Sequence, residues 1–541
     1  MCNKYTEVAQ EDTAEEWPLP DENCVQKTLE NLREDSATGP DLLPTRVLKR
    51  FATELSVPLY KLAKRILDTG RWPEVWLEHW VLPLYKRKAK WKAANYRGVH
   101  LTAQLAKATE RFLQKAFAGF FYSDLVSGEQ QFAYKPGKGA RDALALLVFT
   151  WIAGFDKGHK YAVYCADVSG AFDRVSAKRL LKKLKAVGVP DKWLCLFESW
   201  LRERPAKVAV GGVLSSMMVL KDMVFQGTVW GPELWNAFFR DASRAVREKG
   251  FTEKVYADDL NAYKIFPVNT PNEELFAAAE ECQTELHLWG QGNQACFDAE
   301  KESTHVVSHR EAEGESFKVL GVKFDCSLTM AEAVHGVVVE VNWKLRTLER
   351  SAAYHYDTQL VKLYKARVLG YVEYRTAAVY HATDTVLKPL DKLQDSFLQK
   401  LGIAPLEALM EFNLAPLATR RDIAMLGLVH RAALRKGPPQ FWEFFTKAPD
   451  TAKVRTRLSH RRHTEQLVET RSGKFLELVR RSALGLVAVY NLLPGDVVAT
   501  DSVKEFQRKL QELVRNRAAA NCEDWPSTLS PRIPLYKHPL L

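Results

Sequence analysis

Two adjacent carboxylates, Asp258 and Asp259, stand inside an otherwise strand-like run at residues 253–265, EKVYADDLNAYKI. Buried carboxylates are costly unless a cation or dense hydrogen bonding compensates them. Side chains alternate along a strand, so neighbours at 258 and 259 face opposite ways. Both can serve one site only near a hairpin turn, where one should hold a cation more directly. A third carboxylate, Asp167, ends the apolar run YAVYCADV (161–168) and is followed by Ser169-Gly170-Ala171-Phe172-Asp173. Further strand-like runs fall at 206–213, 303–308 and 317–325, with helical patterns at 177–187, 191–202, 232–249 and 272–289. Strands and helices interleaved without strict βαβ repetition define an α+β chain.

Three such carboxylates suit a hard divalent ion, which takes a few protein oxygens and completes its shell with water and phosphate. A pair of such ions lowers the pKa of an attacking hydroxyl and stabilises leaving pyrophosphate. A lone Asp-Asp in a loop is more often a solvated turn, and Asp167 on its own reads as a helix cap. The decision therefore rests on neighbouring motifs.

Composition narrows the class of partner. The 541 residues carry 77 Lys and Arg against 66 Asp and Glu, a net charge of +11 that favours a polyanionic partner. Eight cysteines with no C-x-x-C pair exclude a disulfide framework and a zinc finger, and Cys522 stands too far from His460 and His463 to join them. No apolar run reaches the ~18–20 residues that span a bilayer. An intracellular protein is expected, with a nuclear site of action. The first 24 residues form an acidic tail that does not fold alone, and a helical extension follows over 25–79. Trp72, Trp76 and Trp80 recur every four residues and predict a buried helix. Bases gather at Lys86–Lys92 and at Arg455, Arg457, Arg461, Arg462, Arg471, Arg480 and Arg481, where nucleic-acid phosphates would run.

With these residues in view, the chain resembles reverse transcriptases of LINE-type (non-LTR) retrotransposons. CADVSGAFDRV (165–175) resembles the motif of the first catalytic aspartate, and VYADDLNAY (255–263) resembles the YXDD box. FQGTVWGPELWNAFF (225–239) resembles the Gln-Gly motif, DAEKEST (298–304) the N-x-x-K-T segment and FKVLGVKFD (317–325) the primer-grip strand. Upstream, ATGPDLLP (37–44), NYRGVHLTAQLAKATER (95–111) and QQFAYKPGKGARDAL (130–144) match further blocks in order. Downstream, LDKLQDSFLQKLG (390–402), LAPLATRR (414–421) and VYNLLP (489–494) match the helical tail.

The resemblance implies a right-hand polymerase: fingers and palm with an antiparallel sheet over 80–325, then a mainly α-helical thumb and basic extension over 326–541. It implies two Mg²⁺ ions (Mn²⁺ as a substitute) on Asp167 and Asp258, with Asp259 completing the set. Lys301 would protonate the pyrophosphate. Phe172 would exclude a 2′-hydroxyl, and Gln226 and Gly227 would lie against the nucleotide and template base. Arg97, Lys135 and Arg141 would grip phosphates, while Tyr256, Leu320 and Gly321 would hold the primer. RNA template, DNA primer and dNTPs are the implied partners. Phe225, Thr228, Arg141, Gly98 and Asp298 depart from the family pattern, but none is an implied metal ligand. No endonuclease or RNase H segment is expected. The alternative is a catalytically silent, maturase-like RNA-binding protein descended from such an element.

Overall fold

The computed structural model describes residues 16–86, 89–448, 463–469 and 473–541. The bases Arg455, Arg457, Arg461, Arg462 and Arg471, His460, and part of the 86–92 run lie outside the described residues, as do the first fifteen residues. Eleven strands occur among those described. They are β1 (His79–Tyr85), β2 (Tyr96–Leu101), β3 (His159–Asp167), β4 (Arg204–Val210), β5 (Val213–Leu214), β6 (Met218–Leu220), β7 (Thr252–Tyr256), β8 (Asp259–Pro267), β9 (Ser303–Val307), β10 (Phe317–Val319) and β11 (Val322–Phe324). Helices fill most of the remainder, so the α+β expectation holds at the level of mixed sheets among many helices.

The chain divides into two compact units, and two of its crossings between them fall within β3 and within β8. The first comprises the described residues up to Pro136, Ala166–Leu260 and Glu281–Glu302. Its sheet runs β2-β1-β4-β5, with β6 also on β4. β1 and β2 are antiparallel, Trp80 opposite Leu101 and Tyr85 opposite Tyr96, whereas β1 and β4 run parallel. The helix Gln104–Tyr122 carries the core beside it through Phe112, Phe117 and Phe121, all essentially inaccessible. The tryptophan triplet does not form a helix. Pro73 starts a single 3₁₀ turn at Glu74–Trp76, and Trp80 falls on β1. Trp72 and Trp76 are nevertheless buried, against each other and, for Trp72, against Trp230. Periodicity identified burial, which a 3₁₀ turn followed by a strand also provides.

The second unit holds Gly137–Cys165, Asn261–Glu280 and Ser303–Leu541. β3 is buried along almost its whole length, as an apolar run flanked on both sides must be. It pairs antiparallel with β9, Tyr161 opposite Val307 through Cys165 opposite Ser303, in a sheet ordered β7-β8-β3-β9. Helices Ala140–Asp156, Ala331–Ser351, Asp384–Lys400, Leu417–Ala433 and Val503–Ala519 provide most of the remaining mass. Trp151, Tyr161, Phe317, Phe324 and Tyr364 belong to one continuous hydrophobic core.

Candidate active site

Asp167 is the last residue of β3, and the backbone beyond it is fastened to residues 296–298. Ser169 N–H donates to the Cys296 carbonyl at 2.8 Å, and Asp298 N–H to the Asp167 carbonyl at 2.9 Å. The Lys301 ammonium donates to Asp167 Oδ2 and lies 3.2 Å from Asp298 Oδ2. Burial opposes the charge on Lys301, but hydrogen bonds and charge from Asp167 and Asp298 outweigh it and hold the ammonium above its ordinary pKa. The strand end therefore presents one carboxylate with a cation already on it.

Asp258 reaches the same place from the hairpin between β7 and β8. Ala257 and Asp258 are the two turn residues, and Ala257 takes a left-handed backbone with φ 59°. A positive φ at the first turn position is shared by the tight type I′ and II′ hairpin turns. Val168 N–H points at the Asp258 carbonyl, 3.4 Å away, so the two carboxylate-bearing segments touch. The Asp258 carboxyl is pushed above the ordinary carboxylate range, first by burial and then by the charge of Asp167; Arg97 and Lys301 oppose the shift. Asp259 begins β8 and is half-buried.

Arg97 and Lys301 offset only part of the shift on Asp258. The donors of Asp167 and Asp258 are hard oxygens, which fits Mg²⁺ or Mn²⁺. Among the described residues no three His, Cys, Asp or Glu side chains form a preformed cage.

The other sequence-derived residues divide. Arg97, exposed on β2, bears electrostatically on Asp258 and on Tyr134, whose phenol is raised by burial and by Asp258. Phe172 stands in the 3₁₀ turn Ala171–Arg174, and its ring stacks on Trp235 at 5.6 Å and 20°. The Gln226 carbonyl accepts from His100 N–H at 2.8 Å. Gly227 has φ 104°, and a Cβ there would meet the His100 carbonyl at 2.9 Å, so only glycine fits this close approach to β2. Glu110 fixes the rest of that loop, accepting from Val229 N–H at 2.7 Å, while its carbonyl accepts from the Trp230 indole at 2.9 Å. Tyr256 ends β7 next to the turn.

Lys135 is buried and donates to Asp124 Oδ1 at 2.7 Å and the Gly128 carbonyl at 3.1 Å. Arg141, Leu320 and Gly321 belong to the second unit. Arg141 is exposed in the first turn of its helix. Leu320 (φ 49°) and Gly321 (φ 79°) form the turn between β10 and β11, and the Leu320 carbonyl accepts from Tyr374 Oη at 2.9 Å. Arg480 pairs with Glu477 at 2.6 Å, and Arg481 donates to the His381 carbonyl at 2.7 Å.

Sequence reasoning assigned no role to Gln131 or Trp235. The Gln131 side chain accepts from Ala257 N–H at 2.9 Å and lies within donating distance, 3.3 Å, of the Ala257 carbonyl. The Trp235 indole donates to that carbonyl at 2.9 Å. Both residues sit in quoted motifs, but nothing in a linear string reveals that they converge on the turn.

The end of β3 and the hairpin turn thus bring two carboxylate-bearing segments together beside a lysine. Residues 86–324 match the family model for reverse transcriptase (RNA-dependent DNA polymerase), the family that the motifs of this stretch resemble. The chain is similar to the RNA-directed DNA polymerase from mobile element jockey of Drosophila melanogaster, 24% identical over 407 residues covering 70% of this chain and 44% of that protein. The Drosophila funebris counterpart is 25% identical over 408 residues, with the same coverage. The probable RNA-directed DNA polymerase from transposon BS of Drosophila melanogaster is 24% identical over 278 residues, 50% of this chain and 30% of that protein. The chain thus spans less than half the length of these curated relatives. Among the described residues, no helix is long and apolar enough to cross a membrane.

Proposed function

We propose that the chain is the RNA-directed DNA polymerase of a non-LTR retrotransposon, extending a DNA primer 3′-hydroxyl with dNTPs along an RNA template. The observation that carries this reading is the electrostatic coupling of Asp167 and Asp258 on segments in backbone contact. In this reading 80–325 act as fingers and palm, and 326–541 as thumb and extension. Asp167 and Asp258, with Asp259 completing the set, would hold Mg²⁺ ions, which when bound would supply the acidity that activates the hydroxyl and the charge that stabilises leaving pyrophosphate.

The protein's own groups do the remainder. Phe172, backed by Trp235, is a rigid wall against a 2′-hydroxyl. Gln226 and Gly227 carry backbone close to the base pair, and Arg97 contributes positive charge for the triphosphate. Lys301 keeps its proton through its two carboxylate partners and delivers it to the departing pyrophosphate oxygen. Lys135 contributes by ordering the loop between Asp124 and Pro136. Arg141 grips the template backbone, and Tyr256, Leu320 and Gly321 hold the primer end.

Primer extension on poly(rA)/oligo(dT) with Mg²⁺ tests the proposal. The wild-type chain should incorporate dTTP, and Asp258→Ala should lose at least ~10³-fold of that rate, since both the charge and the ligand disappear. Folded wild-type protein that binds the hybrid without incorporating dTTP would leave the silent RNA-binding reading standing instead.

A further inference from the structure

The turn that carries Asp258 is strained and solvent-poor. Ala257 is a non-glycine residue at φ 59° and only 6% exposed. L-residues resist this region of backbone space, and buried peptide groups outside a strand ladder need other partners. Gln131 contacts both sides of the peptide: Oε1 accepts from Ala257 N–H at 2.9 Å, and Nε2 lies 3.3 Å from its carbonyl. The same Oε1 accepts from Ala133 N–H at 3.0 Å, which fixes the amide's orientation. Gln131 is itself 4% exposed and is locked alongside β7 by a parallel bridge to Val255, where Val255 N–H donates to the Gln130 carbonyl and Phe132 N–H to the Val255 carbonyl. Trp235, fully buried, donates to the remaining side of the Ala257 carbonyl while its ring backs Phe172.

We propose that Gln131 is a positioning residue for the cation site: by clamping Ala257 in its left-handed conformation it fixes the direction of the Asp258 carboxylate. Trp235 completes the clamp and ties it to the wall formed by Phe172. A hydrophobic side chain at 131 would fill the same space but remove the acceptor of the Ala257 and Ala133 N–H groups, and the turn would relax toward conformations that alanine prefers. The clamp's existence stands on geometry alone. Its consequence for cation binding rests on the polymerase reading above.

Two readouts without substrate test it, alongside kinetics. In Gln131→Leu, hydrogen exchange of the peptide covering 255–260 should accelerate at least tenfold, and half-saturation by Mn²⁺, followed by electron paramagnetic resonance, should rise about ten- to a hundredfold, the usual size for outer-shell ligand supports. Under saturating dNTP, kcat should fall at fixed Mg²⁺ and recover partly at high Mg²⁺, while KM for dNTP changes less than about twofold. Adding Ala257→Gly should restore part of the Mn²⁺ affinity, because glycine takes the turn conformation without restraint. Trp235→Phe, which keeps a ring beside Phe172 but loses the donor, should shift exchange and Mn²⁺ affinity in the same direction by a smaller factor. It is the deciding variant should Gln131→Leu not fold.

Unchanged exchange at 255–260 and an unchanged Mn²⁺ midpoint in either folded variant would overturn the proposal. Altered exchange with an unchanged Mn²⁺ midpoint would overturn the link to the cation site. A wild-type chain that lacks polymerase activity but whose turn still responds to Gln131→Leu would refute the polymerase reading and leave the clamp intact.

Discussion

Asp258 is held in a place that disfavours its own charge. Burial and the neighbouring Asp167 raise its pKa in the folded chain, with Arg97 and Lys301 offsetting only part of that. A raised folded-state value means that the stability contributed by this group is present below its unfolded pKa and is lost as pH rises through the folded value. In its ionised form the side chain therefore opposes folding. In metal-free buffer, Asp258→Asn should be more stable than wild type by the ~0.5–2 kcal/mol common for single stabilising changes, measured by urea unfolding. Mg²⁺ should stabilise the wild type and leave the variant unmoved. An Asp258→Asn chain no more stable than wild type would mean that Asp258 is already compensated within the protein. At this scale the sequence was informative: charge inside an apolar segment marks a site because its cost is a local property. The raised pKa was not legible, because it depends first on burial in the folded chain and then on Asp167, which lies far away along the chain.

The segment from Gln226 to Trp230 is a loop whose shape comes from contacts to other elements. Glu110, buried on the Gln104–Tyr122 helix, fixes Val229 and Trp230, and the edge of β2 receives Gln226 and Gly227. Gly227→Ala would place a Cβ 2.9 Å from the His100 carbonyl at φ 104°. It should cost at least about 1–2 kcal/mol on backbone grounds alone. The measurement is chemical denaturation of the variant, paired with KM for dNTP, which should rise together with the loss of stability. Wild-type stability in the Gly227→Ala chain would show that β2 yields at this point. Element types were largely readable from sequence: the helices near 177–187 and 191–202 and the hairpin after residue 253 occur close to where hydrophobic period and turn residues put them, whereas the single strand-like run at 317–325 folds as two short antiparallel strands around Leu320 and Gly321. The tryptophan triplet misled because a four-residue spacing reports which side chains are buried, and a strand preceded by a 3₁₀ turn buried Trp72 and Trp76 equally well.

Across the molecule as a whole, stability has a pH dependence separate from the candidate site. In the second unit Asp422 is buried beneath Tyr380, whose hydroxyl donates to it at 2.5 Å, and burial pushes the carboxyl up to about 7. Since that value exceeds the unfolded one, this residue's contribution is complete below pH ~4 and declines as pH rises to about 7, by no more than ~1.4 kcal/mol per pH unit. Asp422→Asn keeps an acceptor for Tyr380 and should flatten the decline, as read by thermal unfolding between about pH 5 and 8. An unchanged slope would place the titration elsewhere. Nothing in the sequence marked Asp422, because a single aspartate on a helical pattern reads as a solvated face until its neighbours are known. The amino-acid string by itself determined the α+β class, the ordered reverse transcriptase motifs and the three candidate carboxylates, all of which depend on local period, local charge and linear spacing. Only tertiary structure decided that Asp258 meets Asp167 through Val168, that Gln131 and Trp235 hold Ala257, that Lys135 is occupied with Asp124, and that Arg141, Leu320 and Gly321 fall in the second unit. The physical reason is that hydrogen bonds and Coulomb terms act over a few ångströms of space, and folding brings within that range residues that stand far apart along the chain.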